Sequence, residues 1–296
     1  MRVRAIVTAP PYAPFLPELA AHPLVCGLRL NTVMPLAEPP AAVLARLAAL
    51  GPPLWVDLKG RQLRVTAAAV PPFTEVRLSH RIRVRTPADA WFHDGREHAR
   101  IVATDGDRLI LEDGPRRVVG PGESVNVPDP TLEIEGTLTE TDRAYLAAMR
   151  ELGLTRVMLS YAERPEDAAE VRDLLPEAEL RLKIESRRGL SFARAHGTAH
   201  GGLVAARGDL FVEVEEPHRI VSALRTVLAA DSEAFVASRI FPSLAHHPVP
   251  ECCEIGDAAF LLALGYRTFL LGDEVCLRRD SVIAALNLLQ AVAGEM

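Results

Sequence analysis

Short apolar runs that close in polar residues, each followed by a helical stretch, recur along this chain. The alternation constrains the fold more than any other feature, because strands separated by helices pair in parallel and are covered on both faces. Arg4–Thr8 is β-branched and apolar and closes in Ala9-Pro10-Pro11. Leu16–Ala21 is a short helical segment, and Leu24–Leu30 is a second strand ending in Arg29-Leu30-Asn31. Pro39-Pro40 opens a helix over Ala41–Leu50, proline being suited to a first helical turn. Leu54–Asp57 is a third strand and leads into Lys59-Gly60.

The rhythm then breaks. From Leu63 to Pro128 there is no helical period. Arg77–Arg83, His98–Val102 and Arg108–Glu112 read as short strands, and Asp94-Gly95, Asp105-Gly106 and Asp113-Gly114 as hairpin turns. Pro121-Gly122 and Pro128-Asp129-Pro130 close a small all-β insert over residues 65–130.

Strands and helices alternate again from Thr139, which with Asp142 forms a capping-box variant. That helix runs to Leu152 and ends at Gly153. Strands follow at Arg156–Ser160, Leu180–Ile184, Leu203–Ala206, Ala234–Ala237 and Arg267–Leu271. Helices follow at Pro165–Leu175, Pro217–Ala229, Ile255–Leu264 and Ser281–Val292, while a short connection joins Ile184 to Leu203. Eight strands in this order predict an α/β fold, a (β/α)8 TIM barrel in residues 1–64 and 131–296 with the β-rich insert after strand three. The alternative, an open doubly wound sheet, lacks a Gly-x-Gly-x-x-Gly after the first strand.

Composition narrows the function. A formal charge of −6 argues against a nucleic-acid partner. Cys26, Cys252, Cys253 and Cys276 show neither disulfide nor zinc spacing and read as reduced, mostly buried thiols. No secretory leader and no membrane-spanning run is read, so a cytoplasmic protein with no membrane partner is expected. Arginine has nearly displaced lysine: the only lysines are Lys59 and Lys183.

Two strand ends carry the chemistry. Leu180–Ile184 delivers Lys183 and Glu185, and Leu203–Ala206 delivers Arg207, Gly208 and Asp209. Strand C-termini share one face of a parallel barrel, so these groups would converge. A lysine between two carboxylates suits a divalent cation and a phosphorylated or carboxylated substrate. Each motif alone is more often a surface ion pair or a turn. His196 and His200, four apart, would share a helical face, but the glycines around them favour a loop. Arg187-Arg188 would suit an extra anionic group on a substrate.

The ordered set of motifs resembles the pyruvate kinase family along nearly the whole chain. Val7-Thr8-Ala9-Pro10 is similar to the family's Thr-Ile-Gly-Pro, and Arg29-Leu30-Asn31 to its Arg-Met-Asn. Asp57-Leu58-Lys59-Gly60 with Arg64 resembles Asp-Thr-Lys-Gly-Pro-Glu-Ile-Arg. His93-Asp94-Gly95 sits where the lid has Asp-Asp-Gly. Val125-Asn126-Val127-Pro128 and Leu138-Thr139-Glu140-Thr141-Asp142 resemble Val-Asn-Leu-Pro and Ser-Glu-Lys-Asp. Lys183-Ile184-Glu185 resembles Lys-Ile-Glu-Asn, and Ala206-Arg207-Gly208-Asp209-Leu210 resembles Ala-Arg-Gly-Asp-Leu. Ala237-Ser238-Arg239 stands at Ala-Thr-Gln.

The resemblance implies a barrel with a lid, and Mg²⁺ (or Mn²⁺) on Glu185 and Asp209. Lys183 and Arg29 would bind the phosphoryl group of phosphoenolpyruvate, the Gly208 and Asp209 amides its carboxylate. Ser238 would stand near the carbon that gains a proton. Asn31, Arg64 and Asp94 would make nucleotide or lid contacts. Departures follow the same alignment. Val33 and Leu58 replace two oxygen ligands of a potassium site, which is expected to be lost. Met34-Pro35 and Glu123 replace nucleotide-side groups, Phe211 replaces a glycine, and Gly272 replaces the serine of Ser-Gly-Glu-Thr. A shortened lid and no C-terminal regulatory domain are expected, with a monomer or homodimer. Three functions stay open: phosphoryl transfer between phosphoenolpyruvate and an acceptor (ADP or another), Mg²⁺-dependent decarboxylase or aldolase chemistry on a 2-keto acid, and non-catalytic binding.

Overall fold

The eight expected barrel strands close on themselves. In the computed structural model, which describes residues 2–296, β1 (Arg4–Thr8), β2 (Val25–Asn31) and β3 (Leu54–Leu58) come first. The insert carries β4 (Glu75–Arg77), β5 (Ile82–Arg83), β6 (Ala88–Phe92), β7 (Glu97–Asp105), β8 (Arg108–Leu111), β9 (Val125–Asn126) and β10 (Glu133–Ile134). The barrel resumes with β11 (Arg156–Leu159), β12 (Glu179–Ile184), β13 (Gly202–Ala206), β14 (Phe235–Ala237) and β15 (Thr268–Leu271). The ring runs β1-β15-β14-β13-β12-β11-β3-β2, parallel throughout.

Period-two alternation sorts each strand. Ile6, Trp55, Met158, Val204, Phe235 and Leu270 fill the barrel interior. Their neighbours Leu54, Val56, Leu58, Leu182 and Ile184 face outward, into the core shared with the helices. Because successive side chains point to opposite faces, Asp57 lies on the inward face with Trp55, and Lys183 opposite Leu182 and Ile184.

The helices are α1 (Leu16–Ala20), α2 (Pro40–Ala48), α3 (Glu140–Glu151), α4 (Pro165–Leu174) and α5 (Arg187–His196). They continue with α6 (Arg207–Glu213), α7 (Ile220–Ala230), α8 (Cys252–Leu264), α9 (Asp273–Cys276) and α10 (Arg279–Glu295). The capping box of α3 forms as expected. The short connection between β12 and β13 contains a full helix, α5. Ser186 caps it, its hydroxyl accepting from Gly189 N at 3.0 Å, and Leu190, Phe192 and Ala193 are buried beneath it. His196 ends that helix, and its ring lies 5.3 Å from that of His200, both beside Phe192.

The insert builds its own core around Leu78, Ala90, Phe92, Ile101 and Leu109, and Leu132 and Ile134 pack into it. Its strands form an antiparallel sheet, β4-β8-β7-β6-β9, beside a β5–β10 pair. Asp94-Gly95 and Asp105-Gly106 do join paired strands. Asp113-Gly114 does not: the next strand, β9, pairs with β6 and not with β8, and a Cβ on Gly114 would lie 2.6 Å from the Phe73 ring. Arg77–Arg83 is broken at Ser79-His80, where Ser79 Oγ accepts from Arg64 N at 3.1 Å. Cys252 and Cys253 are exposed rather than buried, because they lie in the first turn of α8 on its solvent side; only Cys276 is buried. No described helix is long and apolar enough to cross a membrane.

Candidate active site

Asp57 is the hub of the inward face. Its carboxylate accepts from Arg29 Nε at 2.8 Å and Arg29 Nη2 at 2.5 Å. Lys183 Nζ stands 3.4 Å from both its oxygens, and Lys59 Nζ 3.7 Å from one. Burial alone would raise the Asp57 pKa, but Lys183, Lys59 and Arg29 hold it far below the usual carboxylate range. Lys183 also donates to Ser160 Oγ at 2.9 Å and stands 3.2 Å from Glu185 Oε1. Despite its burial, Asp57 and Glu185 keep the Lys183 pKa raised. Lys59 is pulled down to about 7, first by burial, with Lys183 and the arginines adding to the effect.

Glu185 accepts from Tyr161 N at 2.8 Å. Its pKa is pushed up by burial, with Asp209 and Asp57 adding to the rise and Lys183 opposing it. Asp209 sits in the first turn of α6, and both its oxygens are held from the neck of the insert. Gln62 Nε2 donates to Oδ2 at 2.8 Å, and Asn126 Nδ2 to Oδ1 at 3.1 Å. Arg64 orients Gln62 by bonds to its Oε1 at 3.1 and 2.5 Å, and donates to Gly122 O at 2.6 Å. Asn126 also reaches the Tyr161 hydroxyl and, at 3.4 Å, Glu213. Sequence reasoning missed Gln62, Asn126, Tyr161 and Glu213. Asn126 lay within a quoted motif, but nothing local marks a neck residue as reaching across to a barrel carboxylate.

Arg29 is brought to the cluster and engages four of its five N–H donors there. Nη1 donates to Thr8 Oγ1 and to Asp273 Oδ1, both at 2.9 Å. Asn31 joins the same carboxylate, Nδ2 to Oδ2 at 2.5 Å. Asp273 had no place among the expected site residues. Ser238 lies at the end of β14, beside Gly208: a Cβ on that glycine would sit 3.4 Å from its Oγ. Ser238 and Arg239 both have left-handed backbone, φ 69° and 55°, a strained conformation for residues other than glycine. Arg207 holds it by donating to Ser238 O and Arg239 O, and is itself anchored on Asp257.

Asp94 stands apart from this cluster, in the turn that the insert lays against α6, where a Cβ on Gly95 would meet Val212 at 2.8 Å. Glu123 is not the free negative charge its position suggests, because Arg117 pairs with both of its oxygens. Arg187 and Arg188 are committed to the insert's exit segment, donating to Pro128 O at 2.5 Å and Pro130 O at 2.8 Å. Beneath that segment lies a cavity of about 240 Å³ lined in part by Arg61, Tyr161, Glu163, Ser186, Arg188 and Glu213.

Glu185 and Asp209 offer hard oxygen donors whose mutual repulsion a divalent cation would relieve, and they fit Mg²⁺ or Mn²⁺. Among the described residues no three His, Cys, Asp or Glu side chains converge as a metal cage. The pair would therefore leave most of the coordination shell to water and substrate, as Mg²⁺ commonly has it.

The chain is thus a closed β/α barrel with a β-rich insert, carrying a lysine and two carboxylates at its strand ends. The family model for the pyruvate kinase barrel domain matches residues 77–276, and the chain belongs to the pyruvate kinase family. It is 28% identical over 213 residues to the pyruvate kinase of Methanocaldococcus jannaschii, covering 69% of this chain and 47% of the relative. It is 30% identical over 207 residues to one from Agrobacterium vitis, covering 68% of this chain and 43% of the relative. Against that of Borreliella burgdorferi it is 23% identical over 211 residues, covering 69% and 44%. The chain thus spans less than half the length of each of these relatives.

Proposed function

We propose that the chain is a Mg²⁺-dependent, pyruvate kinase-like enzyme that transfers the phosphoryl group between phosphoenolpyruvate and an acceptor, ADP or another. The observation that carries this is Lys183: a buried ammonium fixed between Asp57, Ser160 and Glu185. Phosphoryl transfer asks chiefly for positioning and charge neutralisation. Glu185 and Asp209 would hold the metal, which when bound supplies Lewis-acid stabilisation of the enol oxygen and the phosphoryl group. Lys183 neutralises the phosphoryl in transit as its bond to the enol oxygen breaks and a bond to the acceptor forms. Arg29 grips the same group from β2. The Gly208 and Asp209 amides receive the substrate carboxylate, and Ser238 stands at the face where the enolate carbon takes a proton to give pyruvate. With Val33 and Leu58 in place of oxygen ligands a potassium site would be lost, and Arg64 orders the neck through Gln62.

A second reading, enolate chemistry on a non-phosphorylated 2-keto acid, is favoured by one observation: Asp273 occupies the outward side of Arg29. The test is ³¹P NMR with phosphoenolpyruvate, Mg²⁺ and ADP, beside Lys183→Ala. Growth of ATP signals in the parent alone supports phosphoryl transfer. Untouched phosphoenolpyruvate, with oxaloacetate or another 2-keto acid turned over instead, sinks it in favour of the second reading.

A further inference from the structure

Four of the five N–H donors of the Arg29 guanidinium are taken. Nε and Nη2 serve Asp57; Nη1 serves Thr8 and Asp273. Asp57 is wholly buried and shared with two lysines, so it is not displaceable. Asp273 is different: its side chain is 39% exposed and it begins a helix of only four residues. The same carboxylate takes Asn31, so it bridges two groups from the end of β2.

We infer that Asp273 is a built-in competitor for the phosphoryl subsite and thereby a specificity-determining residue. This rests on the reading above that Arg29 and Lys183 receive the phosphoryl group. An anion that reaches Arg29 must take the place of the Asp273 carboxylate, or else bind beside a like charge, which is strongly unfavourable in a partly desolvated site. A substrate with no phosphoryl group leaves the Asp273–Arg29–Asn31 arrangement intact. Arg29, Lys59, Lys183 and Arg64 face Asp57, Glu185, Asp209 and Asp273, so Asp273 is part of a closely matched balance of charge. Withdrawing Asp273 shifts that balance toward highly charged substrates.

The test is calorimetric binding, in Mg²⁺, of phosphoenolpyruvate and of oxalate, a planar dianion that mimics enolpyruvate without a phosphoryl group. Parent, Asp273→Gly and Asp273→Asn are compared; the asparagine variant keeps the shape of the loop if glycine loosens it. Phosphoenolpyruvate is expected to bind about tenfold more tightly to Asp273→Gly, and more tightly to Asp273→Asn, with oxalate unchanged. Unchanged phosphoenolpyruvate affinity in both variants overturns the inference. So does an equal gain for oxalate, which would make Asp273 a general electrostatic brake rather than an occupant of one subsite. Failure of oxalate to bind the parent strikes at the metal and pyruvate reading instead, and unchanged phosphoenolpyruvate affinity in the variants still overturns the place given to Asp273.

Discussion

Gln62 donates to Asp209 across the boundary between insert and barrel, Nε2 to Oδ2 at 2.8 Å, while Asn126 from the other neck strand takes Oδ1. The two neck residues therefore fix the orientation of a proposed metal ligand. Groups that orient ligands commonly change metal affinity by about 10–100-fold when removed. Gln62→Ala is expected to weaken Mn²⁺ binding about tenfold, measured by electron paramagnetic resonance titration, with the fold kept by circular dichroism. Unaltered Mn²⁺ affinity would remove Gln62 from the ligand's support.

Asp57 neutralises Arg29, Lys59 and Lys183 from a fully buried position. Its loss takes from Lys59 its ion-pair partner and leaves Arg29 only Asp273 and Lys183 only Glu185. Asp57→Asn should cost on the order of 3 kcal/mol in urea unfolding, the scale of breaking a buried pair. Adding Lys59→Met to that variant should recover part of the loss, with a coupling of about 1 kcal/mol or more. Strict additivity of the two substitutions would contradict the hub.

The Glu213 carboxyl is pushed up to about 8, chiefly by burial, with Asp209 and Glu163 adding to the shift while Asn126 and Arg187 oppose it and Tyr161 lies alongside. An unfolded glutamate loses its proton near 4.5, the folded one only near 8, so the folded state binds the extra proton between them. The stability this contributes is complete below the lower value and disappears as pH rises through the higher one. Urea unfolding in a chelator should lose up to roughly 1.4 kcal/mol per pH unit in that window from this group. Glu213→Gln should flatten the slope; an identical slope in both proteins would rule the assignment out.

Asp142 accepts from Lys59 N at 2.9 Å, Gly60 N at 3.1 Å and Thr139 N at 3.1 Å, so one carboxylate caps α3 and shapes the turn after β3. Gly60 has φ 50°, and a Cβ there would lie 2.7 Å from Ser160 O. Asp142→Ala is expected to cost about 3 kcal/mol, as several bonds to a buried charge are lost. Asp142→Asn should cost less. Equal midpoints for parent and alanine variant would show the turn to be held by other means.

Much of the barrel was legible because period-two alternation and helix punctuation are local. Lys183 and Glu185 could be placed at one strand end from spacing alone, whereas Arg29 came only from the family resemblance and the central place of Asp57 was missed. The α5 helix was hidden by the glycines and histidines around its end, which mask the buried trio Leu190, Phe192 and Ala193. The exposure of Cys252 and Cys253 was illegible because thiols are usually interior and only packing sets which side of α8 they take. Gln62, Asn126 and Asp273 were missed for a common reason: each acts on a partner far away in sequence, and no spacing rule encodes a reach from neck to barrel or from β15 to β2.

The two lysines of this chain, Lys59 and Lys183, are both buried around Asp57. A lysine-directed electrophile therefore meets no side-chain amine on the outside of the protein. Lys59, held near neutrality, is the better nucleophile of the pair, since Lys183 stays protonated. Acylation of lysine becomes a footprint of the site itself: the extent of labelling at Lys59 registers access to the barrel mouth, and a ligand seated there would protect it.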